Sequence, residues 1–177
     1  MRLLKQGKTK EIFSWIVSLS VGLVIAFLVK TFVFTISWIP SPSMEPTLMV
    51  NDRVVCIGTY FSAPLKRGDI IVFRPNQKDY KDEYWVKRLI GLPGDHIEIK
   101  EGVVYVNGKM LAEPYVEDRT NYTGSFVVPR DKYLVLGDNR GDSLDARFWK
   151  NPFISEKQIL YEVVFKVYPF KDMEKLT

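Results

Sequence analysis

The stretch Ile39-Pro-Ser-Pro-Ser-Met-Glu-Pro-Thr-Leu48 organises the rest of this chain, and Ser43 stands at its centre. Its three prolines restrict φ and remove backbone N–H donors, so the stretch can be neither a regular helix nor a central strand. We therefore predict a stiff, extended loop that presents two hydroxyls, those of Ser41 and Ser43. Loops held by a rigid scaffold often carry catalytic residues. A proline-rich linker between an anchor and a domain is the alternative interpretation.

Upstream of this loop, an uncharged run of eighteen residues, IFSWIVSLSVGLVIAFLV, extends from Ile12 to Val29. As a helix it would be about 27 Å long, which is close to the thickness of a bilayer core. A buried globular helix and a cleaved signal peptide are the alternatives. A signal peptide would end in small residues of the A-x-A type, whereas Lys30-Thr31-Phe32 follows here. We predict a basic tail over residues 1–11 and an uncleaved transmembrane anchor over 12–30.

The charges around the run predict its orientation. Arg2, Lys5, Lys8 and Lys10 precede it, against the single acid Glu11. Such basic flanks favour the cytoplasmic side of a membrane. Because no second apolar run of spanning length follows, we expect a single-pass protein of the cell membrane. Its N-terminus would be cytoplasmic and residues 31–177 would form an extracytoplasmic domain.

Beyond the loop, short β segments alternate with turn signals. Asn107-Gly108 is a strong signal for a type I′ hairpin turn. The sequence leaves open whether Thr31–Ile39 extends the helix or forms a first strand. Taken together, the pattern predicts a mainly antiparallel β domain, with strands at Arg53–Ile57, Asp69–Phe73, Glu83–Ile90, His96–Lys100, Val103–Val106, Lys109–Leu111, Phe126–Val128, Lys132–Leu136 and Ile159–Tyr168.

The composition excludes several kinds of site. The single cysteine, Cys56, precludes an intramolecular disulfide and a cysteine-based metal centre, and its apolar surroundings predict a buried side chain. The net charge is +4, but basic and acidic residues are interspersed. No recognition motif accompanies them, so we expect no nucleic acid as partner. A basic balance suits a protein that lies against anionic lipid.

A nucleophile at Ser43 needs a base, and the chain offers two alternatives. A Ser-His-Asp triad would have to use the only histidine, His96, which directly follows a Gly-Asp turn. Lys87 instead lies in a largely apolar strand, where alternation places it on the face of Trp85 and Leu89. Burial there would lower its pKa and make it a usable base near neutrality. The simpler interpretation is a lysine on an edge strand whose ammonium reaches solvent.

A third notable segment is GDNRGDSLDAR, residues 137–147, which carries three aspartates and two arginines. A calcium loop is one interpretation, but an EF-hand needs a glutamate at its twelfth position, where Trp149 stands. A plain turn after a strand is the other.

Together these segments resemble the bacterial type I signal peptidases (leader peptidases), which are membrane-anchored Ser/Lys proteases. The resemblance covers nearly the whole chain, and the short chain looks like the compact form common in Gram-positive bacteria. It rests on the predicted anchor and on SPSMEPTL (41–48), RGDIIVF (67–73), YWVKRLIGLPGD (84–95), NG (107–108) and GDNRGDSLDAR (137–147).

The resemblance implies a role for each matching residue. Ser43 would be the nucleophile and Lys87 the general base, while the Ser43 N–H and the Ser41 hydroxyl would line an oxyanion hole. Ser143 would orient Lys87, and Asp145 and Arg147 would pair to hold that loop. The chain departs from the family pattern at Ala146, where serine is frequent, and at Pro42, where Gram-negative members often have glycine.

The implied fold is a signal-peptidase-like, β-rich catalytic domain behind a single transmembrane helix. The implied function is cleavage of signal peptides from secretory preproteins after small residues at the minus-one and minus-three positions, without cofactor or metal. The implied partners are these preproteins and the phospholipid membrane. The alternative is a non-catalytic, membrane-anchored homologue that binds or assembles export substrates.

Overall fold

A computed structural model describes residues 2–75, 80 and 83–176 of the protein, and the side chains of these except 2–10 and 28–32. The chain divides into two compact units, Met1–Thr35 and Ile36–Thr177. The basic side chains of the predicted tail and the end of the predicted anchor, residues 28–30, thus lie outside the described side chains. The predicted domain boundaries remain predictions.

The first unit is dominated by helix α1, Arg2–Phe32, which contains the whole uncharged run. All its side chains from residue 11 to residue 27 are exposed, including large apolar ones such as Trp15 and Leu19. The uncharged run is therefore helical, and its transmembrane placement stays a prediction. Within the part of the chain that the structure describes, no helix combines the length and the apolar character needed to cross a membrane.

The second unit is built from β-strands, and the first of them begins two residues before that unit. Twelve strands are described: β1 (Phe34–Trp38), β2 (Arg53–Gly58), β3 (Ile70–Phe73), β4 (Trp85–Gly91), β5 (His96–Lys100), β6 (Val103–Val106), β7 (Lys109–Met110), β8 (Gly124–Val127), β9 (Lys132–Leu136), β10 (Phe153–Ser155), β11 (Ile159–Tyr168) and β12 (Glu174–Lys175).

Eight of these strands form a large sheet in the order β1-β2-β11-β3-β4-β9-β10, with β12 pairing to β11. The other four form a smaller sheet in the order β7-β6-β5-β8. Every strand pair whose register is described is antiparallel. The predicted mainly antiparallel β domain is thereby confirmed.

The large sheet is covered on both faces, as β3 makes clear, because all four of its side chains are buried. Ile71 and Phe73 belong to an inter-sheet core, which joins them to Leu89, Leu134 and, on the smaller sheet, Ile97. Since side chains alternate along a strand, the neighbours of Ile71 and Phe73 face the other way. The large sheet therefore has a second core on its opposite face.

This loop-side core contains Ile70 and Val72 of β3 together with Ile39, Met44 and Leu48 from the Ser43 loop. Fully burying an aliphatic side chain of this size contributes about 1.5–3 kcal/mol. Three such anchors, on both sides of Ser43, bind the loop to the sheet. The loop that the sequence singles out is therefore part of the fold, not a linker.

The predicted strands are present within one or two residues of their expected bounds. The segment Thr31–Ile39 both extends the helix and forms a first strand, the two alternatives that the sequence left open, since α1 ends at Phe32 and β1 begins at Phe34. The hairpin turn is also confirmed, because Asn107 and Gly108 have φ angles of 50° and 79°. Two short strands, β10 and β12, were not predicted. Each is too short to show an alternating pattern.

Candidate active site

Ser43 lies in a short 3-10 helix, Pro42–Met44, inside the proline-rich loop. The prediction of an extended conformation is wrong at this point, because proline is well tolerated in the first turn of a helix. Met44 is only 1% exposed, and Ser43 itself is 7% exposed. The turn therefore places the Met44 side chain in the loop-side core and leaves Ser43 nearly buried beside it.

Strand β4 brings Lys87 to this hydroxyl. Lys87 Nζ donates a hydrogen bond of 2.6 Å to Ser43 Oγ, although 44 positions separate the two residues. In the register of β3 and β4, Lys87 stands opposite Ile71, and Trp85 stands opposite Phe73. The predicted common face is confirmed, and Lys87 is only 5% exposed.

This burial changes the acidity of the lysine. Loss of solvation disfavours the ammonium and lowers the pKa of Lys87 to about 8, from an ordinary value of 10.5. The carboxylates of Asp145 and Asp138 oppose this shift, and the Arg147 guanidinium supports it. A substantial fraction of Lys87 is thus neutral in mildly basic solution, where its nitrogen can accept a proton.

The second serine of the loop is close to the first. Ser41 Oγ lies 3.3 Å from Ser43 Oγ, within hydrogen-bonding distance. Both hydroxyls and Lys87 line one cleft of about 300 Å³. The cleft has apolar side chains as well, from Ile39, Met44 and Val86, and it is open to solvent.

The segment 137–147 supports the site through a buried carboxylate. Asp145 accepts hydrogen bonds from the Ser143 hydroxyl (2.8 Å) and from the Gly137 backbone N–H (2.9 Å). The Arg147 guanidinium contacts both oxygens of this carboxylate, at 2.8 and 2.9 Å. Asp145 and Arg147 are therefore paired. Among the hydrogen bonds of the described residues, that of the Ser143 hydroxyl runs to Asp145, and none joins Ser143 to Lys87.

Gly137 lets this segment approach the Ser43 loop. A Cβ atom built on Gly137 would lie 2.2 Å from Ser143 Oγ and 2.5 Å from the Ser43 carbonyl oxygen. Two hydrogen bonds of Asn139 join the segments, from its backbone N–H to the Ser43 carbonyl and from its amide to the Pro42 carbonyl, each 3.2 Å long. Only a residue without a side chain fits between the two segments at Gly137.

Sequence reasoning missed a second buried ion pair beside Lys87. The Arg88 guanidinium donates to both oxygens of Asp138, at 2.8 and 2.6 Å, and stacks on the ring of Tyr115 at 3.9 Å. Thr47 of the Ser43 loop donates to the same carboxylate at 2.6 Å. This pair thus links β4, the Ser43 loop and the 137–147 segment. The sequence signal that could have revealed this pair was Arg88 itself, a charged residue next to Lys87 in a largely apolar strand, which needs a partner when it is buried.

His96, the alternative base, is exposed at the start of β5. Its Nε2 lies 3.0 Å from Ser125 Oγ, the side chain of a residue on the neighbouring strand β8. The described contacts of His96 therefore lie in the smaller sheet, whereas Ser43 contacts Lys87 of the larger one. Cys56, as predicted, is buried in the loop-side core.

Comparisons with known proteins identify relatives of this chain. A family model described as "Signal peptidase, peptidase S26" matches residues 12–168. Signal peptidase IB of Staphylococcus aureus strain COL is 40% identical over 185 aligned residues, covering 93% of this chain and 94% of that protein. Probable signal peptidase I-2 of Synechocystis is 40% identical over 162 residues, covering 88% of this chain and 73% of that protein.

Among solved structures, a signal peptidase I from Enterococcus faecalis V583 is similar, with 33% identity and a TM-score of 0.45. The match covers 55% of this chain and 94% of the solved one. The family match, over 12–168, includes the Ser43 loop, β4 and the whole 137–147 segment.

Proposed function

The chain belongs to the signal peptidase family, peptidase S26, and from that membership we propose a membrane-bound serine endopeptidase that removes N-terminal signal peptides from exported preproteins. The observation that carries the mechanism is the 2.6 Å hydrogen bond between Lys87 Nζ and Ser43 Oγ. A hydroxyl in contact with a buried amine is the minimum that a Ser/Lys protease needs.

In the proposed first step, neutral Lys87 accepts the Ser43 proton while Ser43 Oγ attacks the scissile carbonyl. The tetrahedral intermediate collapses as the resulting ammonium donates that proton to the departing amine, which becomes the new N-terminus of the mature protein. The signal peptide stays attached to Ser43 as an ester. Lys87 then takes a proton from a water molecule, the hydroxide attacks the ester, and the proton returns to Ser43 Oγ.

Negative charge develops on the carbonyl oxygen in both steps. In our proposal the Ser43 backbone N–H and the Ser41 hydroxyl donate to it, which fits the 3.3 Å between the two serine oxygens. Removing one such donor from a protease typically costs about 2.7–4 kcal/mol in the transition state.

The remaining residues position Lys87. Ser143 directs its hydrogen to Asp145, and its oxygen retains lone pairs that can accept an N–H of the Lys87 ammonium. Asp145 and Arg147 hold Ser143 by their mutual ion pair, which is buried. Ser143, Asp145 and Arg147 are thus proposed as positioning residues, and Ser43 and Lys87 as catalytic ones.

An extended preprotein segment is the proposed substrate. Main-chain hydrogen bonds to an exposed strand edge would hold it, and shallow apolar pockets would accept small residues at the minus-one and minus-three positions. The apolar side chains of the cleft, from Ile39, Met44 and Val86, suit such pockets.

We further propose the membrane arrangement that the charges and the uncharged run favour. Residues 1–11 form a cytoplasmic tail, 12–30 a single-pass anchor and 31–177 the extracytoplasmic catalytic domain. Exposed apolar side chains cover α1 from Ile12 to Phe27, and exposed apolar surface of that kind is stable in lipid, not in water. The anchor would keep the cleft near the membrane that holds the substrate's own apolar segment.

The test is direct cleavage. Full-length protein in detergent is incubated with a preprotein, and the new N-terminus of the product is sequenced. We expect a cut after the signal peptide with small residues at the minus-one and minus-three positions, and none with Ser43→Ala or Lys87→Ala. Binding of the preprotein without any cut would favour the non-catalytic homologue instead.

A further inference from the structure

The cleft that holds Ser43 has a buried base and an exposed, acidic mouth. Ser43, Lys87, Ile39 and Met44 lie at its base and are buried or nearly so. Glu83, Tyr84, Asp142 and Leu144 line the same cleft but are exposed. Two carboxylates therefore stand at the opening, one from the segment before β4 and one from the 137–147 segment.

No cation among the described cleft residues balances these carboxylates while the site is active. The charged residues that line the cleft, within the described part of the chain, are Glu83, Lys87 and Asp142. Lys87 must be neutral to act as the base. The nearby guanidiniums of Arg88 and Arg147 are each committed to a buried carboxylate, those of Asp138 and Asp145.

Both carboxylates are accessible to a bound peptide. Glu83 accepts a hydrogen bond from the Trp85 indole N–H at 2.8 Å through one oxygen, Oε2, and its other oxygen is not used in that bond. Asp142 is held through its backbone, whose N–H donates to the Asn139 side chain at 3.1 Å, so this contact leaves the Asp142 carboxylate exposed.

The proposed substrate geometry decides which side chain meets them. Successive side chains of an extended peptide point to opposite sides. If the minus-one and minus-three side chains enter the pockets at the base, the minus-two side chain between them points out to the mouth. There it lies among Glu83, Tyr84, Asp142 and Leu144.

We propose that Glu83 and Asp142 form an acidic rim that selects for a lysine or arginine, and against an acidic residue, at the minus-two position of the preprotein. This selection rests on the proposed peptidase function. It adds a preference at the minus-two position, whose side chain does not enter the pockets for small residues. The long alkyl part of a lysine or arginine would lie against Tyr84 and Leu144 while its charge reaches the rim.

The expected size of the effect is modest because the rim is exposed to solvent. Each exposed ion pair changes a rate constant only a few-fold. Attraction of lysine and repulsion of glutamate by two carboxylates together predict a kcat/KM ratio of about tenfold between them. Because exposed charges are screened, the ratio should shrink when salt is raised from about 0.05 to about 0.5 M.

The experiment uses full-length protein in detergent and three fluorogenic peptides. They carry alanine at the minus-one and minus-three positions and differ only in lysine, glutamine or glutamate at minus two. Glu83→Gln and Asp142→Asn should each lower the lysine-to-glutamate ratio to about threefold, and the double variant should bring it close to one. Glutamine at 83 keeps an oxygen for the Trp85 N–H, and asparagine at 142 keeps the shape of the aspartate.

The matched control is Asp131→Asn. Asp131 is an exposed carboxylate beside Lys132 and does not line the Ser43 cleft. It should leave the tenfold ratio unchanged. Peptides that place lysine or glutamate three residues beyond the cut, with glutamine at minus two, should give a ratio near one.

The possible results are separable. Normal cleavage by the wild type with a ratio near one would overturn the acidic rim and leave the peptidase function standing. A ratio that persists in the double variant would also overturn it. Failure to cut any of the peptides, or equal cutting by Ser43→Ala, would overturn the proposed function and the rim with it.

Discussion

At the scale of single residues, the site depends on burying a lysine that water would otherwise keep charged. Lys87 lies between Trp85 and Leu89 on one face of its strand, and its amine contacts Ser43 at 2.6 Å. Desolvation of the ammonium is the main cause of the lowered pKa, and it frees the amine to act as a base from about pH 8 upward. The same desolvation destabilises the fold at every pH at which the unfolded chain would carry the charge. Both consequences can be measured.

The pH dependence of the reaction should follow Lys87. In the proposed mechanism the neutral amine is the active form, and its pKa is lowered to about 8. kcat/KM should therefore rise with pH up to about that value and then level off. Lys87→Arg keeps a charge that cannot be removed, so it should be as inactive as Lys87→Ala. His96→Ala should be close to normal. An active Lys87→Arg together with an inactive His96→Ala would mean that the base is misassigned.

The stability of the protein should also rise with pH, but over a higher range than the activity. Folding lowers the pKa of Lys87, so between about pH 8 and 10.5 the unfolded chain binds more protons and stability rises with pH. Lys87→Met removes the buried ammonium and should stabilise the inactive protein by up to about 3 kcal/mol at pH 7. The gain should disappear above about pH 10.5. Urea unfolding of the wild type and of Lys87→Met at pH 7 and above about pH 10.5 measures this effect. An equal difference in unfolding free energy at both pH values would contradict it.

Ser41 should contribute to rate without being essential. If its hydroxyl is one of two oxyanion donors, Ser41→Ala should lower kcat by about 10²–10³-fold and leave KM nearly unchanged, because the backbone donor at Ser43 remains. Ser41→Thr, which retains a hydroxyl, is the control and should keep part of the activity. Steady-state kinetics on one peptide is sufficient. An unchanged kcat in Ser41→Ala would mean that the hydroxyl has another purpose.

At the scale of elements, the site is the meeting of a 3-10 helix, a strand and the 137–147 segment. The helix supplies Ser43, strand β4 supplies Lys87, and the segment supplies the Ser143–Asp145–Arg147 set. The 137–147 segment comes close to the Ser43 loop at Gly137, where the Ser43 carbonyl and the Ser143 side chain converge. The spacing of these two segments should therefore control the position of Ser43.

Gly137→Ala should therefore disable the enzyme although it adds a single methyl group. The new Cβ would lie 2.5 Å from the Ser43 carbonyl oxygen, a backbone atom that cannot rotate away. We expect a loss of at least about 100-fold in kcat and a destabilisation of about 1–3 kcal/mol, as for other overpacked sites. Steady-state kinetics and thermal unfolding measure the two effects.

The same segment provides a matched control. A Cβ on Gly141 would meet nothing closer than Asn139 Oδ1 at 3.8 Å, which is an ordinary contact. Gly141→Ala should therefore keep activity and stability near those of the wild type. Equal behaviour of the two variants would show that the approach at Gly137 is not critical.

At the scale of the whole molecule, covalent length links the proposed anchor to the cleft. Ser43 follows Val29 by fourteen positions, and a fully extended connection of that length spans no more than about 50 Å. Exposed apolar residues, Ile36 and Trp38, stand on β1 within this interval. Such residues suit the interface of a bilayer.

Topology gives the test at this scale. We expect the N-terminus inside the cell and residues 31–177 outside, because the basic residues before the run favour the cytoplasm. Protease added to intact protoplasts should digest the domain and leave an epitope tag at the N-terminus protected. The reverse pattern would overturn the orientation and with it the proposed access to exported preproteins. A cytoplasmic protein of the same cells, intact throughout, serves as the control.

The sequence by itself determined the features that depend on near neighbours. Prolines around Ser43 restricted the backbone conformation of its loop, and an uncharged run predicted α1. Alternation of apolar and polar residues predicted the strands, and Asn107-Gly108 predicted the turn. Each of these follows from local steric or solvation preferences. The tertiary structure alone decided that the loop bends into a 3-10 helix and that Lys87 donates to Ser43. It also decided that Ser143 donates to Asp145 and that Arg88 pairs with Asp138. These contacts join residues whose proximity depends on sheet register and on the direction of single side-chain bonds. No periodicity in the chain encodes such a choice of partner, because it is made only when the strands pair and the cores close.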